Sequence, residues 1–228
     1  MNLKEEAARH ALSHVRNGMI LGLGTGSTTA YFVDLLGERL RTGELRGVIG
    51  VPTSEDTAAR ARALGIPLTS LAEHSRLDLV VDGADEVDPD LNLIKGLGRA
   101  LLREKIVEVH ADQLVVVADE SKLVRRLGTR GPLPVEIVPF AAEATIRWLN
   151  TLGCCAELWC DADGARVVTD NGNYLVSCWF SEGIADPYAL SRMLADRPGV
   201  VEHGLFLDMA SFVIVATYEG IRVLERAS

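Results

Sequence analysis

The sequence predicts an α/β protein: a mostly parallel sheet covered by helices on both faces, with a smaller α+β domain inserted late in the chain. Three observations predict it. Short apolar runs alternate with helical patterns from Leu3 to Ala118. After Gly131-Pro132-Leu133-Pro134 the order changes to β-α-β-β-α-β, with room for one extra hairpin strand. The run Ser211 to Tyr218 (SFVIVATY) is then too apolar for an edge and is expected back in the first sheet.

Each element has a local reason. Leu3, Ala7, Ala8, Ala11, Leu12 and Val15 recur at helical spacing, and Asn17-Gly18 stops that helix. Met19 to Leu23 is a short apolar strand, followed by the turn Gly24-Thr25-Gly26-Ser27-Thr28. Ala30, Val33, Leu36 and Leu40 share one side of the next helix. Val48 to Val51 is a strand ended by Pro52, and Ser54 caps a helix over Glu55 to Leu64. A short strand follows Gly65-Ile66-Pro67-Leu68. Leu77 to Val81 reads as a buried strand, Ala100 to Val109 as a helix, and Leu114 to Ala118 as a strong β run.

Beyond residue 131, Val135 to Val138 is a strand and Ala141 to Leu149 a helix. Cys154 to Cys160, Ala165 to Thr169 and Tyr174 to Phe180 are β-like, separated by Asp163-Gly164 and Asp170-Asn171-Gly172-Asn173. A helix starts after Asp186-Pro187, and Val200 to Leu207 is extended. The expectation is a Rossmann-like domain from residues 1–130 and 207–228, with an inserted ferredoxin-like, split βαβ domain at 131–206.

The composition bounds the function. The chain has 228 residues, 48% hydrophobic and 24% charged, which suits a soluble globular protein. No apolar run approaches the roughly 20 residues of a membrane helix. The amphipathic start MNLKEEAARHALSHVRNG lacks the apolar core of a signal peptide, so a cytoplasmic location is expected. A net charge of −9 argues against nucleic acid as the main partner but leaves room for a small anion held by local cations and backbone N–H groups. Cys154, Cys155, Cys160 and Cys178 form no C-x-x-C pair, and no histidine lies at zinc-finger spacing, so reduced thiols are expected.

Gly24 to Thr28 follows a strand and opens a helix, where N–H groups and the hydroxyls of Thr25, Ser27 and Thr28 suit a phosphate. A dinucleotide reading fails, because Ser27 replaces the third glycine and the second strand ends in Val51-Pro52 rather than an acid. There is no G-K-[ST] either. Asp82-Gly83-Ala84-Asp85-Glu86 ends a strand, with Asp88 and Asp90 beyond it. A solvated turn or a Mg²⁺ site are alternatives there, but the spacing fits no calcium loop. Lys95 lies in the loop Lys95-Gly96-Leu97-Gly98, and Glu104 on the helix after it. Alone, that glutamate reads as part of a solvated face. Together, hydroxyls, two aspartates, a lysine and a glutamate have the parts for moving a proton next to a carbonyl. Ser121-Lys122 follows a further strand end and suits a phosphate contact.

At these residues the chain resembles the ribose-5-phosphate isomerases of the A type. The resemblance is carried by Gly24-Thr25-Gly26-Ser27-Thr28, Ser54-Glu55, Asp82-Gly83-Ala84-Asp85-Glu86, Lys95-Gly96 with Ala100 to Val107, Asp119-Glu120-Ser121-Lys122, Pro134-Val135-Glu136 and Thr169-Asp170-Asn171-Gly172-Asn173. It implies interconversion of D-ribose 5-phosphate and D-ribulose 5-phosphate in the pentose phosphate pathway, with no metal and no cofactor. It implies Glu104 as the proton acceptor between C1 and C2, Asp82 as the group that moves hydroxyl protons and assists ring opening, and Asp85 and Lys95 as the groups that hold the enediolate. Thr25, Gly26, Ser27, Thr28 and Lys122, with Lys4, would bind the substrate largely at its phosphate. Gly83, Ala84, Gly96, Leu97 and Gly98 would line it. Family members form dimers or tetramers. This chain departs from the family's glycine run at Leu97 and Arg99. The alternatives are a non-catalytic sugar-phosphate sensor, which should carry a basic helix-turn-helix that is not apparent here, and an isomerase or deaminase of another sugar phosphate.

Overall fold

The structure, a computed structural model, describes residues 2–226. Contacts divide the chain into two compact units. The first holds Met1–Ala84, Arg103–Leu123 and Asp208–Ser228, and the second Asp85–Leu102 and Val124–Leu207. The second unit thus takes in Asp85–Leu102 and residues 124–130 besides the segment that punctuation set apart at 131.

The first unit is built on a six-stranded sheet. Its strands are β1 (Ile20–Leu23), β2 (Ile49–Pro52), β3 (Leu79–Gly83), β6 (Leu114–Asp119), β12 (Phe212–Thr217) and β13 (Gly220–Glu225), in the order β13-β12-β6-β3-β1-β2. All neighbours are parallel except the β12–β13 hairpin. Parallel strands need both faces covered: Leu21, Leu23, Leu79, Val81, Val115, Val117 and Ile214 are buried on one face, and Val80, Val116, Val213 and Val215 on the other. Around the sheet lie α1 (Leu3–Leu12), α2 (Ser27–Thr42) and α3 (Glu55–Ala63). The α1 helix buries Ala7, Ala8, Ala11 and Leu12 and packs on α2, β6 and β12. The α2 helix buries Phe32, Val33 and Leu36 and stops at Gly43 in the left-handed region. Ser54 caps α3 by accepting the Thr57 N–H at 3.1 Å, as its sequence position predicts.

The chain runs from β1 to β2 on one side and returns to β3 on the other. Connections that part in opposite directions beyond the carboxyl ends of parallel strands leave a crevice, where such sheets bind ligands. Four neighbouring strand ends open there. They carry Lys122 after β6, Asp82 in β3, Gly24 to Thr28 after β1 and Ser54 after β2.

The second unit has a four-stranded antiparallel sheet of β7 (Leu133–Ile137), β8 (Cys155–Leu158), β9 (Tyr174–Trp179) and β10 (Val200–His203), ordered β10-β7-β9-β8. With α5 (Ala142–Leu149) and α6 (Pro187–Ala195) between them, this is the expected split βαβ order. Leu133, Val135 and Ile137 face a core shared with Leu149, Leu190 and Leu194 of the helices. Asp186 caps α6 by accepting the Ala189 N–H at 2.9 Å. A further three-stranded sheet joins β4 (Glu86–Val87), β5 (Leu93–Ile94) and β11 (Leu205–Phe206). The remaining helix, α4 (Leu101–Glu108), begins in the second unit and continues in the first.

Some local expectations change. Ala165 to Thr169 is not a strand; it makes only the isolated bridges Cys160–Arg166 and Val168–Tyr174. Asp161 takes the N–H groups of Asp163 and Ala165, and this favours a turn over a ladder. The first helix ends at Leu12 rather than Val15, because the N–H groups of Ser13, His14 and Val15 fall back to tight turns.

Candidate active site

In the first unit the site is organised around Asp82. Its side chain is fully buried at the end of β3. Its Oδ1 accepts the N–H groups of Thr25 at 3.1 Å and Gly83 at 2.6 Å, and the Thr29 hydroxyl at 3.4 Å. Gly24 makes this possible. A Cβ on it would stand 2.2 Å from the Asp82 Cγ and Oδ1, so any side chain would displace the carboxylate. The glycine is there for space, not for φ.

Thr25 faces the other way. Its hydroxyl lies 2.7 Å from Thr53 Oγ1, 2.8 Å from Ser54 Oγ and 3.2 Å from Thr57 Oγ1. Thr53 and Thr57 in turn donate to the carbonyls of Leu23 and Gly24. This hydroxyl cluster ties the turn after β1 to the ends of β2 and α3. Thr28 is buried, and Ser27 is exposed and accepts from the Lys4 ammonium at 2.8 Å. Gly26 precedes α2 without a side-chain cap, and the first turn of α2 holds no acid. The helix dipole and the Lys4 ammonium both make the potential at this turn favourable to an anion. Lys122 is half-buried in the 3-10 turn after β6, which Asp119 caps through the Ser121 N–H at 2.9 Å.

Glu104 is only 2% exposed, so it is no solvated face. Val107 and Glu108, three and four residues on, are also buried, while Ile106 and Val109 are exposed. The helix turns its acidic stripe inward. Gly22 in β1 lets it approach, since a Cβ there would come within 2.8 Å of Val107 Cγ1. Arg103 points away and pairs with Glu55 at 2.8 Å. That pairing holds the Glu55 carboxyl below its ordinary value.

In the second unit Asp85 is half-buried, and its Oδ2 accepts the Leu97 N–H at 2.9 Å. Its own N–H donates to the Ile94 carbonyl at 2.8 Å. Lys95 is 2% exposed, with Nζ 5.3 Å from the centroid of the buried Phe206 ring. A cation over a ring face is stabilised away from water. Gly96 takes φ 110°. Leu97, Gly98 and Arg99 are exposed, and the left-handed position in this loop belongs to Arg99 at φ 68° rather than to Gly98.

Thr25, Gly26, Ser27, Thr28, Lys4, Asp82, Gly83, Ala84, Glu104 and Lys122 therefore fall in the first unit, and Asp85, Lys95, Gly96, Leu97 and Gly98 in the second. Sequence reasoning missed Glu108, whose signal was its place four residues after Glu104 on the same face. It also missed Phe206, which has no local signal, and Thr53 and Thr57. Glu86 was read only as part of an acidic turn. It is buried and accepts the N–H groups of Gly128, Arg130 and Gly131 at 2.6, 2.7 and 3.0 Å.

Comparison with known proteins places the chain. The family model of ribose 5-phosphate isomerase A (phosphoriboisomerase A) matches residues 49–220. A ribose-5-phosphate isomerase A of Roseiflexus castenholzii is 54% identical over 97% of this chain and 94% of its own length. A solved D-ribose-5-phosphate isomerase in complex with phospho-erythronic acid is 46% identical, covers 99% of this chain and 100% of its own, and superposes with a TM-score of 0.96. The ribose 5-phosphate isomerase of Plasmodium falciparum is 39% identical over 99% of both chains, with a TM-score of 0.95. With these matches over nearly its whole length, the chain belongs to the ribose 5-phosphate isomerase A family.

Proposed function

We propose that the protein interconverts D-ribose 5-phosphate and D-ribulose 5-phosphate through an enediolate, in the non-oxidative branch of the pentose phosphate pathway. The observation that carries the reading is the family membership over the whole chain, joined to a carboxylate, Glu104, that is withheld from water on the inward face of α4. In the open-chain aldose, the Glu104 carboxylate takes the C2 proton, and the electron pair moves through C1 to O1. The same group returns the proton to C1, while the O2 proton passes to O1 by way of Asp82. The ketose results, and the base is regenerated. Asp82 also assists ring opening. Lys95 and Asp85 hold and stabilise the enediolate oxygens.

Thr25, Gly26, Ser27 and Thr28, with Lys122 and Lys4, bind the phosphate. Gly83, Ala84, Gly96, Leu97 and Gly98 let the sugar approach the backbone. The uncapped start of α2 and the Lys4–Ser27 contact support this assignment. A relative's complex with phospho-erythronic acid supports the enediolate reading, because a sugar-acid phosphate presents a planar carboxylate in place of the planar enediolate.

The reaction is proposed to need no metal or cofactor. The protein is proposed to work in the cytoplasm as a homodimer or homotetramer; none of the described helices is long and apolar enough to cross a membrane. The test is an isomerase assay on chelator-treated protein with pentose and hexose phosphates side by side. Turnover of the pentose phosphates with chelator present is expected. Inactivity on both pentoses, with turnover of a hexose phosphate, would overturn the reading.

A further inference from the structure

The loop from Lys95 to Arg99 carries a non-glycine residue where the backbone is left-handed. Arg99 has φ 68°, a region that side chains other than Gly enter at a cost. Its N–H closes a tight turn on the Gly96 carbonyl at 2.9 Å. Inside that turn the Leu97 N–H reaches the Asp85 carboxylate at 2.9 Å. Arg99 is the closing residue of the turn, so what fixes Arg99 helps to keep the turn closed and the Leu97 N–H beside Asp85. Gly96 is buried, but Leu97, Gly98 and Arg99 are all exposed, so packing holds the turn at its first residue and not at its last.

A side-chain contact holds its last residue. The Arg99 guanidinium carbon lies 5.8 Å from the centroid of the Trp159 ring, within cation–π range. The Trp159 backbone is tied on both sides. Its main-chain N–H donates to the Leu175 carbonyl at 2.8 Å, and its carbonyl accepts the Val167 N–H at 2.9 Å. The segment that returns past it is anchored at its far end. The buried Glu136 carboxylate takes the Thr169 hydroxyl at 2.9 Å and the side-chain amides of Asn171 and Asn173 at 3.2 and 2.9 Å.

We propose that Arg99 is a positioning residue of the isomerase: stacked on Trp159, it clamps the Lys95–Arg99 turn closed and so presents Asp85 and Lys95 to the substrate. The inference rests on the reading of those two residues as substrate-holding groups. Glycine at 99 would reach the same φ without strain but would leave the turn free to open. Arginine reaches it under strain and is held there from its far end. Opening the turn lowers the fraction of molecules competent to bind, which weakens apparent affinity in proportion and leaves turnover of bound substrate unchanged.

The test compares Arg99→Ala, Trp159→Leu, Trp159→Phe and the double variant Arg99→Ala/Trp159→Leu. Amide hydrogen exchange is read at Leu97 and Arg99 without substrate, and KM and kcat for ribose 5-phosphate are read separately. Arg99→Ala and Trp159→Leu should each speed exchange at the two amides and raise KM by up to about two- to five-fold, the factor an exposed cation–π contact supplies, with kcat held. The double variant should be no worse than either single one, and Trp159→Phe should keep much of the wild-type behaviour. Unchanged exchange, or effects that add in the double variant, would overturn the clamp. Faster exchange with unchanged KM would overturn the positioning role. Wild-type protein inert on the pentose phosphates would sink the isomerase reading alone, since exchange still decides the clamp.

Discussion

Asp82 and Asp85 are near neighbours in sequence, and each receives a backbone N–H from a glycine-bearing loop, yet the two loops hold their aspartates by different means. Around Asp82 the constraint is space. The turn after β1 closes on a fully buried carboxylate, with Gly24 in contact and a hydroxyl cluster behind Thr25. Around Asp85 the constraint is conformation. The turn from Gly96 to Arg99 exposes Leu97, Gly98 and Arg99 and takes positive φ at both its end residues. A loop fixed by packing resists substitution everywhere; a loop fixed by dihedrals and one side-chain contact can be loosened from its rim. The first suits the proton transfer proposed for Asp82. The second suits the substrate-holding role proposed for Asp85.

The scale against which either loop should be judged is loss of the proposed base. Glu104→Gln keeps the shape of the buried side chain and removes its basicity. Turnover should fall on the order of 10² or more while substrate still binds. Near-normal turnover would take Glu104 out of the role.

The next effect separates the loops directly. Gly24→Ala puts a methyl group 2.2 Å from Asp82, and either the turn or the carboxylate must move. Overpacking of this kind destabilises by about 1–3 kcal/mol. Misplacing a reacting group by about an ångström is expected to cost roughly 10²-fold in turnover. Gly96→Ala also strains the backbone, at φ 110°, and meets Leu101 at 2.8 Å, but Leu101 offers a side chain rather than a carboxylate to push. It should destabilise by about 1–3 kcal/mol and act mainly on KM. Equal kinetic profiles for the two variants would break the contrast between space and conformation.

The smallest effect concerns the frame of the first loop. The α1 helix carries Lys4 near its start, bonded to Ser27, and His14 lies just past its end. The His14 ring packs 5.0 Å from that of Phe212 and 6.0 Å from that of His10. Burial, and then the charges of His10 and Arg16, lower its pKa below 6.5. The unfolded chain therefore binds this proton more readily than the folded one. The stability it contributes is present above pH 6.5 and is lost as pH falls through the lowered folded value. The thermal midpoint should drop modestly as pH is lowered through that window, and His14→Phe should flatten the drop. An unchanged slope in the variant would assign the acid sensitivity elsewhere.

Much of this was legible from the chain alone, and the reasons are physical. Parallel strands are buried on both faces, so LVV, VVVA and FVIVA stand out as apolar runs whatever surrounds them. Ser54 and Asp186 announce helix starts because capping is a local bond. β13 escaped notice because it is an edge strand with a mostly exposed, charged face. β4 and β5 are too short to show a period. Leu97 and Arg99 were visible as a departure from a glycine run, but which residue takes the left-handed angle was not.

The sequence by itself determined the α/β class, the strand-end places of Asp82, Thr25 to Thr28 and Lys122, and the family. Each follows from local patterns or from motifs in order. Only the tertiary structure decided that Glu104 faces inward, that Lys95 lies against Phe206, that Gly24 is there to admit a carboxylate and that Arg99 reaches Trp159. Burial and through-space contact are properties of the folded neighbours, and neighbours far apart in the chain leave no mark on the residues between them.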